Sequence, residues 1–456
     1  MKKITLLLLF VSIALGASAQ TADDAVRYNQ YGVAVKRTPL SVEMRDGNLV
    51  FESANQRYKF WFDARVQMDG AVFFGEKDFM NPIGNGVTNR RTRFAVKAQI
   101  TKNWYGEIET DFANGDFELK NALVRFNTCG WQLSLGNFKE DFSMEQTTSS
   151  RHLMFMERPM AVQAFSPSRH LGLDVSFVRN WFYWSAGVFF QSVDNMETSA
   201  FVQDNNRDYG RNQGVSYTAK LRFMPFYNKE HYGLHIGIGE SYRTPKTDVA
   251  ELDGIRYSLR NSTPINNKKY LDTDVIPGMD HQHLYNVELA GHYNGLRLQG
   301  EYIATNIYIN KDAPANVDKQ MKRFCGWYAQ AGVMLFGGQQ RYNPNEGAFT
   351  QPSRGRVWGD IELTARYDYI DLNNKVLGGA GENYTVGLTY YINNSLKFMI
   401  NYQYSNNDRY ANGNGGLFVG RDAAGVATSN YRDVVDAKGK AGVRYSMLGC
   451  RFEIDF

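Results

Sequence analysis

The chain is poor in residues that many folds depend on. Of its 456 residues only 11 are proline and 3 are cysteine. Cys129, Cys325 and Cys450 are widely spaced, odd in number and form no CxxC pair, which excludes a disulfide framework. After the N-terminus no stretch reaches the roughly 18 continuous apolar residues that a membrane helix needs. The formal charge is +4, and +2 without Lys2 and Lys3. That near-neutrality argues against a nucleic-acid binder, whose affinity comes from neutralising phosphates. No G-x-S-x-G, H-E-x-x-H or Walker pattern occurs. Glu288 and Glu301 could pair for acid–base work, but nothing supplies a nucleophile or oxyanion hole. His281 and His283, with His292 beyond, lack a third ligand at zinc spacing, so they read as solvated loop histidines. Neither an enzyme nor a cofactor is expected.

The N-terminus reads as an export signal. Lys2 and Lys3 precede an apolar run from Ile4 to Leu15, and Ala17-Ser18-Ala19 is an A-x-A cleavage site with Gln20 as the mature start. Residues 1–19 are therefore expected to be a signal peptide. Residues 20–57 read as a polar periplasmic lead-in with a possible hairpin around Asp46-Gly47-Asn48.

What the chain does have is aromatic residues, 14% of the total, and alternation with period two. In the segment 60–69, Phe60, Phe62, Ala64, Val66 and Met68 alternate with Trp61, Asp63, Arg65, Gln67 and Asp69. One face is apolar and the other almost wholly polar, the signature of a half-buried strand. The pattern returns in Phe94, Val96 and Ala98 against Arg93, Lys97 and Gln99, and in Ile361, Leu363 and Ala365 against Glu362, Thr364 and Arg366. It closes on Leu448, Cys450, Phe452, Ile454 and Phe456 against Arg451, Glu453 and Asp455. We count about 16 strands, beginning near residues 58, 90, 103, 118, 131, 170, 181, 214, 231, 284, 295, 324, 357, 383, 395 and 441.

Connections alternate in length. Short turns fall at Thr101–Lys102, Arg179–Asn180, Asn294–Gly295 and Asn393–Asn394, and long ones span 75–89, 138–169, 192–213, 244–283, 306–323 and 405–440. Short periplasmic turns and long outer loops are the asymmetry of an outer-membrane barrel. A soluble β-sandwich would show no such asymmetry. The fold class expected for residues 58–456 is all-β, a transmembrane antiparallel β-barrel with its apolar face towards outer-membrane lipids. Residues 337–356 break the rule, being long where a periplasmic turn belongs.

Ordered motifs add a family resemblance. They are Asn89-Arg90-Arg91-Thr92-Arg93-Phe94, Gly136-Asn137-Phe138-Lys139-Glu140-Asp141-Phe142, Thr147-Thr148-Ser149-Ser150-Arg151, Phe155-Met156-Glu157-Arg158 and Pro167-Ser168-Arg169-His170-Leu171-Gly172. Later come Leu298-Gln299-Gly300-Glu301-Tyr302, Gly326-Trp327-Tyr328 and Ile370-Asp371-Leu372-Asn373. From about Asp46 to Phe456 the chain resembles the phosphate-selective porin O and P family. The resemblance implies a 16-stranded barrel, a homotrimer, and inward-folded segments that narrow the pore. A periplasmic turn tucked into the lumen would account for 337–356. It also implies that Arg90, Arg91, Ser149 and Arg151 line the constriction.

A diffusion pore needs charges that replace part of an ion's hydration shell without holding it tightly. Arginine suits oxyanions because its planar fork makes two hydrogen bonds at once. The candidate constriction residues are Arg91, Arg93, Arg90, Ser149, Arg151, Lys139, Arg158 and Arg65. Arg90 has the parity of the lipid-facing set, so it points inward only if its strand is irregular. Acidic residues share the polar faces, so each arginine either contacts the permeating ion or braces the wall. Gln146 stands where phosphate-selective members carry lysine, which argues against tight phosphate capture. The expected function is passive diffusion of small hydrophilic solutes with a modest preference for anions such as phosphate. The alternatives are an outer-membrane barrel enzyme, or a surface receptor or adhesin using loops 244–283 and 405–440.

Overall fold

The structure, a computed structural model, describes residues 27–36, 38–45, 47–75, 81–115, 117–193, 214–245, 254–261, 263–435 and 442–456. The expected signal peptide, Asp46 and most of the 192–213 connection lie outside the described residues. Sixteen antiparallel strands close into a barrel. They are β1 (Lys59–Gly75), β2 (Gly86–Gln99), β3 (Trp104–Asp111), β4 (Glu118–Thr128), β5 (Trp131–Lys139), β6 (Arg169–Arg179), β7 (Phe182–Phe189) and β8 (Ser216–Phe223). Then follow β9 (Tyr232–Arg243), β10 (Met279–Tyr293), β11 (Leu296–Ile309), β12 (Lys322–Met334), β13 (Asp360–Asn373), β14 (Leu377–Tyr391), β15 (Leu396–Asn407) and β16 (Arg444–Asp455).

Each strand pairs with its neighbours in sequence, and β16 closes on β1 with Arg451 opposite Asp69 and Asp455 opposite Arg65. The ring is finished by Phe456, whose carbonyl accepts from the Ala64 amide at 2.6 Å. Every predicted strand is present. β10 starts at Met279 rather than near 284, and β14 at Leu377 rather than near 383. The strand Asn48–Ser53 adds to the β1 edge, with Val50 opposite Trp61.

The alternation sorts residues between two solvents. Met68, Val72, Ile108, Leu135, Val287, Leu298 and Leu448 are exposed on the outer face. Arg65, Gln67, Asp69, Arg297, Glu301 and Arg451 are buried in the lumen. Turn chemistry fixes the hairpins, with Asn180 and Asn294 at φ of +56° and +50°. The β4–β5 turn uses Cys129 (φ +48°) and Gly130 (φ +86°). A Cβ on Gly130 would lie 2.6 Å from the Val178 carbonyl, so only glycine fits there.

His281 and His283 prove to lie in β10 rather than in a loop, because that strand begins earlier than its alternation suggests. His281 stacks on Tyr308 with ring centroids 4.5 Å apart, and the Nδ1 of His283 is 3.0 Å from a Glu240 carboxylate oxygen.

Chain segments fill much of the lumen. The connection between β5 and β6 carries two short helices, α1 (Met144–Thr147) and α2 (Met160–Phe165). It crosses to the far wall, where main-chain amides meet luminal side chains. Met144 donates to Glu288 and Glu145 to Glu301, both at 2.8 Å. Met156 donates to Asn401 at 2.9 Å and Met160 to Asp368 at 3.1 Å. Three of the four acceptors are carboxyl groups and the fourth is the Asn401 amide oxygen.

The principal apolar core sits above α2 inside the barrel mouth. Met160, Val162 and Phe165 pack with Tyr257, Leu259, Tyr270 and Leu271 of an inward-folded outer loop, and with Leu284, Ile303, Ile307 and Phe324 of the wall. The 337–356 connection also folds inward. Tyr342 and Phe349 pack on Met144 and Ala290, and Arg222 donates to the carbonyls of Pro344 and Asn345 at 3.0 and 3.2 Å.

Candidate functional site

Two irregularities in the wall place basic residues in the lumen. Between β1 and β2, Gln67 pairs with Arg91 and Met68 with Asn89, so Arg90 is an extra residue. Between β3 and β4, Glu109 pairs with Asn121 and Thr110 with Leu119, so Lys120 is extra. A bulge leaves one residue out of the ladder and re-aims its side chain. Both residues have lipid-facing parity in the sequence, and both line an inner cavity instead.

That cavity has a volume of about 310 Å³. Its cations are Arg90, Arg91, Arg93, Lys120, Lys139, Arg158 and Arg169, and its carboxylates are Asp111 and Glu118. Four of the cations are paired with carboxylates. Arg93 Nε donates to Asp111 at 2.9 Å, and Arg169 Nη2 to Glu109 at 3.1 Å. Lys120 meets Glu118. Arg90 grips Glu157 with Nε at 2.5 Å and Nη2 at 3.1 Å.

The other three cations meet only neutral oxygens among the described residues. Arg91 Nη1 donates to Gln67 Oε1 at 2.7 Å, and its buried Nε has no partner. Lys139 Nζ donates to the carbonyls of Gln146, Thr147 and Thr148 at 2.8, 3.2 and 3.2 Å. Arg158 donates to the carbonyls of Glu145 and Thr148 at 2.9 and 2.8 Å. These are the carbonyls that the C-terminal end of α1 leaves without helical partners, and cations are favoured there. Burial pulls Arg158 down to about 10, which leaves it charged at neutral pH. Counting Glu109 and Glu157 along with the lining carboxylates, seven basic side chains face four carboxylates around the cavity, so three basic side chains have no carboxylate partner.

The barrel and its basic inner cavity agree with a match to one family. The phosphate-selective porin O and P family matches residues 60–426. The chain belongs to that family. This outer-membrane porin is 23% identical over 441 residues to Porin O of Pseudomonas aeruginosa, with 89% of this chain and 94% of that protein covered. It is 26% identical over 369 residues to an uncharacterized protein of Caulobacter vibrioides, with 78% and 70% covered. Among solved structures it resembles the outer-membrane channel DcaP of Acinetobacter baumannii, with a TM-score of 0.49, 10% identity and 89% and 99% coverage. It also resembles an anion-selective porin from Comamonas acidovorans, with a TM-score of 0.48, 10% identity and 88% and 100% coverage.

Of the candidate residues in this porin, Arg90, Arg91, Arg93, Lys139 and Arg158 meet in the cavity. Arg65, Arg151 and Ser149 do not line it. Arg65 bonds Ser150 and lies 3.2 Å from Asp455. Arg151 bonds Asp63, which also takes Lys97 at 2.6 Å, and the Arg151 carbonyl accepts from Lys397. These contacts, with Arg151 Nε 3.7 Å from Asp455, clamp the β5–β6 connection, the third of the outer loops, to β1, β15 and β16. The serine facing the cavity is Ser150, one residue beyond Ser149.

Sequence reasoning did not single out Lys120 and Arg169, which also line the cavity. Arg169 lay within a quoted motif, but the residue it stands opposite across β5 and β6 is Lys139, thirty residues earlier in the chain, a pairing that only the strand register shows. Lys120 gave no signal, because its parity places it outside.

Proposed function

We propose that this porin is a passive pore with a modest preference for small anions such as phosphate, set by Arg91, Lys139 and Arg158. The observation that carries this is their partnership with neutral oxygens only. A cation already paired with a carboxylate offers a passing anion little net attraction, whereas these three keep their charge available. A volume of 310 Å³ holds about ten waters at roughly 30 Å³ each. The cavity therefore has room for a small anion with part of its hydration shell, which suits throughput over capture. Gln146 lines the cavity where a further cation would strengthen binding. A channel is favoured over an enzyme because the family matched over residues 60–426 is one of porins.

The test is the reversal potential of planar-bilayer channels in a salt gradient. The parent should favour chloride and phosphate over potassium, and Arg91→Gln combined with Arg158→Gln should lower that ratio severalfold. A cation-selective parent, or an unchanged ratio in the double variant, refutes the reading.

We also propose export by a signal peptide cleaved before Gln20, which N-terminal sequencing of the purified protein checks, and assembly as a homotrimer. Strands β3, β7 and β8 have eight residues each, fewer than the nine to eleven of a typical spanning strand. A low wall is better covered by another protomer than by lipid. Light scattering of the detergent-solubilised protein would show a monomer if this is wrong.

A further inference from the structure

Among the described residues, Glu157 is the third-loop carboxylate that forms an ion pair with a cation lining the cavity, and it does so through the geometry an oxyanion would use. Its two carboxylate oxygens take Arg90 Nε and Nη2 at 2.5 and 3.1 Å, the two-pronged match of guanidinium with carboxylate or phosphate. Arg90 is the bulged residue, turned inward for this contact rather than built into the ladder. Glu157 Oε1 also lies 3.5 Å from Arg451, but Arg451 already holds Asp69 through two bonds of 2.6 and 2.8 Å and needs no second carboxylate.

The loop does not depend on the Glu157 side chain for its path. The Glu157 carbonyl accepts from Arg366 at 2.8 Å, and the preceding amide, of Met156, is anchored on Asn401. Burial alone would raise the Glu157 carboxyl, but Arg90, with Arg91 and Arg451 behind it, holds it far below the usual carboxylate range. It is therefore an anion at any pH at which the pore works.

We propose that Glu157 is a tethered competitor that sets the anion affinity of the pore. It occupies the Arg90 fork when no oxyanion is present and yields it to one passing through. This rests on the anion-pore reading of the same cavity. Without Glu157, Arg90 would join Arg91, Lys139 and Arg158 as a fourth cation without a carboxylate, and an oxyanion would be held by four charges rather than three. A pore must bind its ion strongly enough to admit it and weakly enough to release it. Glu157 acts on the second requirement.

The experiment measures block of single-channel chloride current by added inorganic phosphate. Glu157→Gln keeps the shape and removes the charge, so the half-blocking phosphate concentration should fall about tenfold, equivalent to about 1.4 kcal/mol, and the chloride-to-potassium permeability ratio should rise. In an Arg90→Gln background the same substitution should change little, because the fork it frees is gone. Glu157→Asp keeps the charge and withdraws it from the fork, so it should lower the half-blocking concentration by a smaller factor. An unchanged or higher half-blocking concentration in E157Q overturns the proposal, as does a gain that persists without Arg90. Higher conductance with poorer selectivity overturns it too, since that marks Glu157 as a loop brace. The parent separates the two readings. A cation-selective parent sinks the anion pore itself, whereas an anion-selective parent with an inert E157Q sinks only the competitor role.

Discussion

Arg91 stands across the β1–β2 pair from Gln67 and donates to its side-chain carbonyl at 2.7 Å. Two residues along, Arg93 faces Asp111 at 2.9 Å and Glu109 at 3.5 Å. Neighbouring arginines on one strand thus have opposite roles. Arg93 neutralises carboxylates of the wall, and Arg91 leaves its charge in the lumen.

The two should separate in stability. Arg93→Gln leaves Asp111 and Glu109 short of a buried partner, a loss of about 1–3 kcal/mol. Arg91→Gln leaves only an amide to be re-paired and removes repulsion among Arg90, Arg91 and Arg93, so it should be close to neutral. Thermal unfolding, followed by the shift of the folded barrel on unheated gels, will show R93Q melting clearly below R91Q. Equal losses would mean that Arg91 is also structural.

Gly347 is one of the glycines on which the inward-folded 337–356 turn depends. Gly347 has φ of +65°, and a Cβ there would lie 1.6 Å from Arg222 Nη1. Arg222 has little freedom to withdraw. It lies 3.8 Å over the Tyr183 ring and holds the Pro344 and Asn345 carbonyls. Gly347→Ala adds about 1–2 kcal/mol of left-handed strain to that clash. The expected result is a lower unfolding temperature with noisier single-channel current as the turn leaves its seat. A variant matching the parent in both would show that the turn is not held there.

His152, in the third loop, is buried beside Lys397, Arg151 and Arg65. Burial first, and those cations next, hold its imidazole well below its usual range. In the unfolded chain it gains a proton near pH 6.5, while in the fold it stays neutral. Below that pH the unfolded state binds more protons, so stability falls as pH falls. Replacing it with an untitratable residue should remove this part of the acid sensitivity. Parent and His152→Asn unfolding temperatures, compared from pH 7.5 to 4.5, should diverge as acid is added, the parent falling faster. Parallel curves would place His152 in contact with water.

Much of the barrel was legible because strand alternation is a local property. A pleated backbone turns successive side chains to opposite faces, and a wall between lipid and water asks for opposite polarity on each. Every strand therefore carries its own evidence, as Phe60 to Asp69 and Leu448 to Phe456 do. The pattern blurs at the outer ends of β10 to β12. There the luminal Leu284, Ile303, Ile307 and Phe324 are apolar because inward loops cover them. That second apolar parity was a readable sign of a filled barrel mouth, and it is also why β10 was started too late.

The site was legible only in part. Arg90, Arg91, Arg93, Lys139 and Arg158, named from motifs and polar faces, meet in one cavity, whereas Ser149 and Arg151 lie outside its lining, which Ser150 joins instead. The division of arginines into paired and unpaired depends on contacts such as Arg65 to Asp455, 390 residues apart. No local pattern encodes such a contact.

The sequence by itself determined the compartment, the class of fold, the number of strands and the basic character of the lumen, since each follows from composition or from a period repeated along the chain. Tertiary structure decided which charges a permeating ion meets. One inserted residue reverses the face of a side chain, so the bulges at Arg90 and Lys120 turn two outward-reading cations inward. Closing the ring then lets the third loop cross the lumen and assign each cation a carboxylate or a neutral oxygen. Arg91, Lys139 and Arg158 stand without a carboxylate partner for that reason: the groups they meet are an amide and the free carbonyls of a short helix, brought to them from elsewhere in the chain.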